Sequence, residues 1–279
     1  MNWLVQFFKT ATSWVFKNPI LIVLVIFISL YNKFFSNVGF DVSHLNPLRA
    51  DSIWLFALAA KNVFLTLHGA LIAGSATFAS SVITIFNTSA MLAVFAKQSS
   101  PGIKALHATL SLRTLEYFIL QILCGVVFGT LFLAIMYLIV PVAGIQGIVG
   151  TAIISICTLI AYPVFYIILS TGSLILTAPV KANERWLYVR TLCNRQNFPR
   201  LLTFYLVRIG TEAILAYGVL ILASLVHLPT LISALLIIFI VSIPFALVRT
   251  TGLIMKLDML RNTPWFKSQF ANYYQYKNY

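Results

Sequence analysis

Long stretches without a charged side chain dominate the pattern along this chain. Asp, Glu, Lys and Arg are absent from residues 62–96, 117–180 and 213–248. A helix needs about 20 mainly apolar residues to cross the hydrocarbon core of a bilayer, so the second stretch is long enough for two passes. The pattern therefore predicts a protein that crosses a membrane several times.

Turn residues and charges divide these stretches into six predicted spans. Pro141 and Gly147 mark a tight hairpin between the third and fourth spans, and residues 227–229 mark another between the fifth and sixth. Pro163 and Pro244 fall inside spans, where neighbouring helices allow a kink without a break. The spans cover about residues 19–36, 63–95, 117–140, 147–177, 201–226 and 230–248. We therefore expect an all-α, polytopic transmembrane bundle that forms a single domain.

Outside the spans, amphipathic segments carry apolar residues at helical spacing. Residues 2–17 combine Trp and Phe with Gln, Lys and Thr, which is typical of a helix lying in the membrane interface. In the two basic connections, Ser100 and Asn183 are good N-cap residues, and Pro101 suits the first helical position. The apolar positions that follow are Ile103, Leu106 and Leu110 in one connection and Trp186, Val189 and Cys193 in the other. We predict short interfacial helices in both connections.

The two basic connections also resemble each other. Residues 88–123 can be laid on residues 171–206 without a gap, and each copy contains a span end, a polar cap, an amphipathic segment and a span start. Low identity leaves two interpretations, an internal duplication or the general likeness of any two such units. A duplication would relate the flanking spans as parallel repeats about an axis along the membrane normal, as in several transporter folds.

Composition and charge add the orientation. Only 9% of the residues are charged, against roughly 25% in soluble domains, and the mean hydropathy is +0.94. Fifteen Lys and Arg residues fall before the first span, in the second and fourth connections and in the tail, whereas three fall in the opposite connections. The positive-inside rule then places both termini in the cytoplasm. We expect an integral protein of the bacterial inner membrane.

The net charge of +13 points to lipid rather than to nucleic acid, because the basic residues lie in gaps between apolar runs instead of gathering on one folded face. Anionic headgroups at the cytoplasmic face are the expected partners, and a membrane-protein partner or a homo-oligomer stays open. The predicted headgroup contacts are Lys97, Lys104, Arg113, Lys181, Arg185, Arg190, Arg195 and Arg200.

One candidate polar site lies within a predicted span. Arg208 and Glu212 are one helical turn apart in the fifth span, and ionisable residues at that depth mark functional sites by default. They could form a substrate or proton site, or a structural pair near the inner interface with Arg208 reaching toward Arg200. Glu116, beside Arg113, is expected to form an ion pair at the mouth of the third span.

The second span offers another alternative. Its many small residues, such as Gly69, Ala73 and Gly74, favour close helix packing. A polar path along the same span is the functional alternative, and it would be lined by Ser75, Thr77, Ser80, Ser81, Thr84 and Asn87. The sequence contains none of the hydrolase or phosphate-loop motifs that we sought, and Asp41, His44 and Asp51 in an outer loop match no metal-ligand spacing. We predict no enzyme activity, no metal and no cofactor.

Three segments carry a resemblance to a known family. These are FFKTATSWVFKN at residues 7–18, APVKANERWLYVR at residues 178–190 and FPRLL at residues 198–202. Together they resemble the YciC-type bacterial inner-membrane proteins and the related membrane domain of some glycerophosphodiester phosphodiesterases. Pro179 and Glu184 match the proline and the acidic residue common in that connection. The resemblance implies a six-span envelope protein without a settled biochemical activity.

Two functions follow as hypotheses. The first is a non-enzymatic membrane protein that organises lipid or supports partner proteins through its basic inner face. The second is a transporter of a small solute or a lipid that uses the region of Arg208 and Glu212. A polar cavity that reaches this region would favour transport, whereas a fully packed bundle would favour the first hypothesis.

Overall fold

The computed structural model describes residues 2–26, 67–97, 100–134, 148–178, 180, 182–225 and 230–270. Within these residues all regular structure is helical, and none of them forms a strand. The helices are α1 (Asn2–Lys17), α2 (Ile20–Ile26), α3 (Leu67–Phe95), α4 (Pro101–Thr109), α5 (Leu112–Ala134), α6 (Ile148–Thr177), α7 (Arg185–Leu192), α8 (Phe198–Leu225), α9 (Thr230–Met259) and α10 (Pro264–Gln269). A short 3-10 turn, Ala182–Glu184, precedes α7.

Three described segments are long and apolar enough to cross a membrane. They are Ala73–Phe95 in α3, Leu112–Leu131 in α5 and Ile160–Thr177 in α6. A fourth span results if the bent pair formed by α1 and α2 is counted as one. These three to four apolar helices indicate an integral membrane protein that crosses the bilayer more than once.

The helix predicted at residues 2–17 is confirmed as α1, and it meets α2 at an angle of 95°. The amide Nδ2 of Asn18 donates to the carbonyl oxygen of Trp14 at 3.0 Å, which closes the end of α1 before Pro19 begins the next turn. Ala11 and Val15 on α1 are fully buried, and α1 packs against α9. The amphipathic helix α1 is therefore nearly perpendicular to α2, and its apolar face packs against the bundle.

The long helices pack side by side around α3 and α6. Helix α3 contacts α4, α5 and α6, whereas α8 contacts α6 and α9. Two glycines allow close approach between neighbours. A Cβ atom on Gly172 of α6 would clash with Leu120 of α5, and one on Gly252 of α9 would lie 2.7 Å from Cε1 of Phe204 on α8. These contacts hold α5 to α6 and α8 to α9.

The short helices predicted in the basic connections are present. The N-cap position predicted for Ser100 is confirmed, whereas the one predicted for Asn183 is wrong. Ser100 stands at the N-cap of α4 with Pro101 in the first turn, yet Ser100 has a left-handed φ of 61° and its side chain makes no capping bond. An N-cap side chain reaches the helix from an extended backbone, which Ser100 lacks. Asn183 lies inside the 3-10 turn, and Glu184 occupies the N-cap of α7.

The two connections have similar local structure. When residue 88 is laid on residue 171, α4 falls on residues 184–192, one residue longer than α7. Ala105 then matches Tyr188, both buried, and Ile103 matches Trp186, both exposed. An internal duplication stays a prediction, but the two segments share helix positions and the direction of their buried faces.

Candidate functional site

A cavity lined by both apolar and polar side chains, here named the central cavity, opens among the helices of the bundle and has a volume of about 670 Å³. Side chains from α3, α5, α6, α8 and α9 line it. Along α3 the lining runs from Ala76 to Met91, a rise of about 22 Å at 1.5 Å per residue. The cavity therefore extends over much of the roughly 30 Å hydrocarbon core that α3 is predicted to cross.

Three cationic side chains line the central cavity. Arg208 belongs to α8, whereas Arg249 and Lys256 belong to α9, two helical turns apart on one face. The described lining includes no Asp or Glu. Ionisable side chains at this depth in a membrane protein mark candidate functional sites, and this wall carries positive charge over its described residues.

Lys256 is the most buried of the three cations, with 6% of its surface exposed. Its Nζ donates to the backbone oxygen of Ser170 at 3.1 Å, across the interface between α9 and α6. The hydroxyl of Tyr205 on α8 donates to the Oγ of the same serine. Three helices therefore meet at Ser170, and these bonds fix the position of the ammonium group.

Arg208 is held by aromatic rings. Its guanidinium carbon lies 5.3 Å from the centre of the Tyr166 ring and 5.6 Å from the centre of the Tyr205 ring. The two rings are themselves stacked, with centroids 6.4 Å apart. Cation–π contacts of this geometry stabilise a guanidinium away from bulk water and keep it in one orientation.

The lining of the cavity also includes polar, uncharged side chains. Its hydroxyl and amide groups belong to Thr77, Ser80, Thr84, Asn87, Thr88, Gln121, Ser170 and Ser173. Asn87 is only 4% exposed, and its Nδ2 donates to the carbonyl oxygen of Ile83 at 2.9 Å. Its Oδ1 is buried without a hydrogen-bond donor among the described residues. Buried amide oxygens normally have a donor, so a bound ligand or water is the expected partner here.

Of the predicted intramembrane pair, Arg208 lines the cavity, whereas the side chain of Glu212 lies outside the described residues. The pair itself therefore stays a prediction. Of the predicted polar path along α3, Thr77, Ser80, Thr84 and Asn87 line the cavity. Ser81 instead is buried against Gln121. These four residues lie on one face of α3.

The basic residues predicted at the headgroups have different surroundings. Lys97, Lys104, Arg190, Arg195 and Arg200 are exposed. The other described members contact the protein, since Arg113 donates to the backbone oxygen of Thr177 at 3.2 Å and Arg185 forms an ion pair with Glu116 at 2.9 Å. Lys181 lies outside the described residues, as do Asp41, His44 and Asp51.

The ion pair of Glu116 with Arg185 corrects a prediction. We expected Glu116 to pair with Arg113, three residues earlier on the same helix. Arg113 instead closes the end of α6, which leaves Glu116 to face α7. Carbonyl groups in the last turn of a helix lack intrahelical partners, so a guanidinium beside them is well placed to donate.

Lys256 was not predicted as a site residue, because the sixth span was predicted to end at residue 248. Helix α9 continues to Met259, and Lys256 is buried rather than part of a basic tail. The sequence pattern around Lys256 does indicate that α9 continues and that this lysine shares a face with Arg249. Gly252, Leu253 and Leu257 surround Lys256 with apolar or small positions, and the seven-residue spacing from Arg249 puts both cations on one helical face.

The functional interpretation rests on this chain's own geometry. Comparison with protein-family models, with curated proteins and with solved structures finds no match to the chain.

Proposed function

We propose that this protein is a bacterial inner-membrane transporter that binds a small organic anion in the central cavity and moves it across the membrane. The observation that carries the proposal is a cavity of about 670 Å³ among the helices with three cationic side chains and no carboxylate in its described lining. Cavities of roughly 300–1,000 Å³ suit small-molecule ligands. The proposal involves binding and movement alone, without covalent chemistry.

The chemistry of the lining defines the class of ligand. Lys256 and Arg208 are held by hydrogen bonds and rings, so an anionic group that enters meets cations already in place. The buried Oδ1 of Asn87 would accept a hydrogen bond from a hydroxyl or ammonium group of the same ligand. A phosphate or carboxylate that also carries a hydroxyl group fits this wall.

The proposal includes six spans with both termini in the cytoplasm. The charge bias of the connections supports that orientation. Helices α8 and α9 have 28 and 30 residues, and lengths of about 42 and 45 Å are sufficient for one crossing each. Membership of the YciC-type proteins belongs to the same proposal and is supported by the three segments that resemble that family.

A second candidate function, the organisation of anionic lipid at the inner face, is favoured by a different observation. Large apolar side chains on the short helices are exposed, including Ile103 on α4 and Trp186 on α7. Exposed lysine and arginine side chains, such as Lys104 and Arg190, lie on the same helices. An interfacial helix combines these two features.

The transport proposal is tested with purified full-length protein and a set of small anions. The probes are inorganic phosphate, glycerol 3-phosphate, citrate and phenyl phosphate, with glycerol and phenol as neutral counterparts. A ligand that binds only the folded protein raises its unfolding temperature. We expect at least one organic anion to stabilise the protein and to enter proteoliposomes that contain it, whereas the neutral counterparts have no effect.

Two arginine variants on α8 make this test specific. Arg208→Gln removes a cation of the cavity, and Arg200→Gln removes an exposed cation of the same helix. We expect Arg208→Gln to weaken anion binding about tenfold, as for the loss of one charge-assisted hydrogen bond, and Arg200→Gln to leave it unchanged. Equal responses of the two variants, or no stabilisation by any anion, would contradict the proposal.

A further inference from the structure

A second cavity of about 390 Å³, here named the inner-end pocket, lies at the end of the bundle that is predicted to face the cytoplasm. The last turns of α3, the short helix α4, the start of α5 and the C-terminal helix α10 form its walls. It shares no lining residue with the central cavity.

The inner-end pocket is basic on one side. Lys104 and His107, one turn apart on α4, are exposed and line it together with Arg113 of α5. The bond from Arg113 to the oxygen of Thr177 holds that guanidinium at the pocket wall. The described lining contains no carboxylate, so the positive charge at this wall is matched by no acidic group of the pocket.

Trp265 forms another wall and provides an independent sign of a ligand. It is 7% exposed, and its Nε1 is buried without an acceptor among the described residues. Its ring is held in place by the rings of Tyr188 and Phe270, at centroid distances of 6.2 and 5.4 Å. Buried indole N–H groups usually donate to an acceptor, and a phosphate oxygen in the pocket would supply one.

An apolar strip begins at the edge of the same pocket. Ile103, which lines the pocket, is 66% exposed, and Leu110 at the end of α4 is 81% exposed. Leu112 and Leu115 continue the exposed strip onto α5, a predicted span. A strip that leads from a basic pocket toward the hydrocarbon core matches a molecule with an anionic head and apolar chains.

We propose that the inner-end pocket binds the phosphate group of an anionic glycerophospholipid from the cytoplasmic leaflet, with its acyl chains along the strip of α4 and α5. Lys104 and Arg113 supply the positive charge, His107 can donate a hydrogen bond, and the Nε1 of Trp265 donates to a phosphate oxygen. This site is independent of transport through the central cavity. It would tie one lipid molecule to the junction of α3, α4 and α10.

The proposal is tested on the full chain, purified in detergent and mixed with equal amounts of dioleoyl phosphatidylglycerol and dioleoyl phosphatidylcholine. Native mass spectrometry counts the lipid molecules that stay bound. We expect phosphatidylglycerol to be retained about fivefold more than phosphatidylcholine, in line with the contribution of one basic residue near an anionic lipid. Millimolar inorganic phosphate should leave the bound lipid in place.

Three variants distinguish lipid binding in the pocket from nonspecific attraction of anionic lipid to basic residues elsewhere on the protein. Lys104→Gln removes a pocket charge, and Trp265→Phe keeps the aromatic ring but removes its N–H donor. Lys267→Gln removes an exposed charge of α10 that does not line the pocket. We expect Lys104→Gln to lose the preference for phosphatidylglycerol and the control to keep it. Trp265→Phe should lower the retention of both lipids, because both carry the phosphate to which Nε1 is proposed to donate. Since Lys104 is exposed, its replacement preserves folding even if that of Trp265 does not.

Three results would overturn the proposal. The first is equal retention of the two lipids by the wild-type protein. The second is the same behaviour of Lys104→Gln and Lys267→Gln. The third is displacement of the lipid by inorganic phosphate, which would assign the pocket to a free anion.

Discussion

The central cavity and the inner-end pocket are both lined by cations, but they hold these charges in different ways. Lys256 and Arg208 are fixed by a backbone oxygen and by two tyrosine rings within the bundle. Lys104 and His107 are exposed on a helix of nine residues. Charges held in place away from water can select a ligand by geometry, whereas exposed charges attract any anion of the membrane surface.

We expect the largest effect from replacing Lys256, the most buried charge of the two sites. Lys256→Met removes the ammonium group from the central cavity while keeping a long side chain. We expect anion binding there to weaken about thirtyfold, within the range for loss of a hydrogen bond to a charged group. The exposed Lys267 of α10 provides the matched control, since Lys267→Met makes the same exchange outside both cavities. The shift in unfolding temperature with added anion measures both variants, and equal losses would contradict the prediction.

A second substitution tests how tightly α8 and α9 pack beside the central cavity. In Gly252→Ala the new Cβ would lie 2.7 Å from the ring of Phe204, which is buried and cannot withdraw freely. We expect the free energy of unfolding to fall by about 1–3 kcal/mol, the usual cost of overpacking. Gly125→Ala, in the same cavity wall, meets nothing within 4 Å and should leave stability equal or slightly higher. Equal destabilisation in detergent would show that the contact with Phe204 is not the cause.

Ionic strength sharpens the contrast between the two sites. Raising it from about 0.01 to 0.15 M shortens the Debye length from roughly 30 to 8 Å, which screens exposed charges far more than buried ones. We expect retention of phosphatidylglycerol at the inner-end pocket to fall about fivefold, the contribution of one basic residue. Anion binding in the central cavity should change much less over the same range. A similar decline at both sites would remove the distinction between them.

The smallest effect concerns the side on which the inner-end pocket lies. Cys193 is an exposed free thiol just after α7, so a membrane-impermeant maleimide should label it in inside-out vesicles but not in right-side-out ones. The variant should carry Cys124→Ala and Cys157→Ala so that one thiol remains. Labelling in both vesicle types, or only in right-side-out vesicles, would contradict the cytoplasmic assignment.

The same thiol has an expected pH dependence. Partial burial raises the pKa of the Cys193 thiol, so its thiolate fraction at neutral pH is smaller than that of a free cysteine. The labelling rate should therefore keep rising above pH of about 8.5, where a free thiol is half deprotonated. A rate that levels off as early as that of glutathione would contradict the raised pKa.

Much of the helical layout could be predicted from the sequence, because apolar runs and proline-marked turns act locally. Helices at residues 2–17 and after Ser100 follow from spacing alone. The partner of Glu116 could not be predicted in this way, since Arg185 reaches it from a helix 69 residues further along the chain. Its choice depends on how α5 and α7 pack.

The central cavity shows the same limit more strongly. Thr77, Ser80, Thr84 and Asn87 were noticed as polar residues of one span, and Arg208 as a charge of another. These residues line one cavity together with Lys256 only because five helices are arranged around it. Hydrophobic periodicity reports how buried each face is on average, but not which neighbour covers it.

The two close glycine contacts have a consequence for motion. Gly172 leaves room for Leu120 between α5 and α6, and Gly252 leaves room for Phe204 between α8 and α9. If the helices of either pair slid along each other, a side chain would be driven into the backbone of its neighbour. We therefore expect each pair to move as a rigid unit. The three cations of the central cavity all belong to the α8–α9 pair, so they keep their mutual spacing when this pair tilts. In the transport proposed above, rocking of the α8–α9 pair against the α5–α6 pair would open the cavity to each side of the membrane in turn. The same motion would break and remake the bonds from Lys256 and Tyr205 to Ser170 of α6.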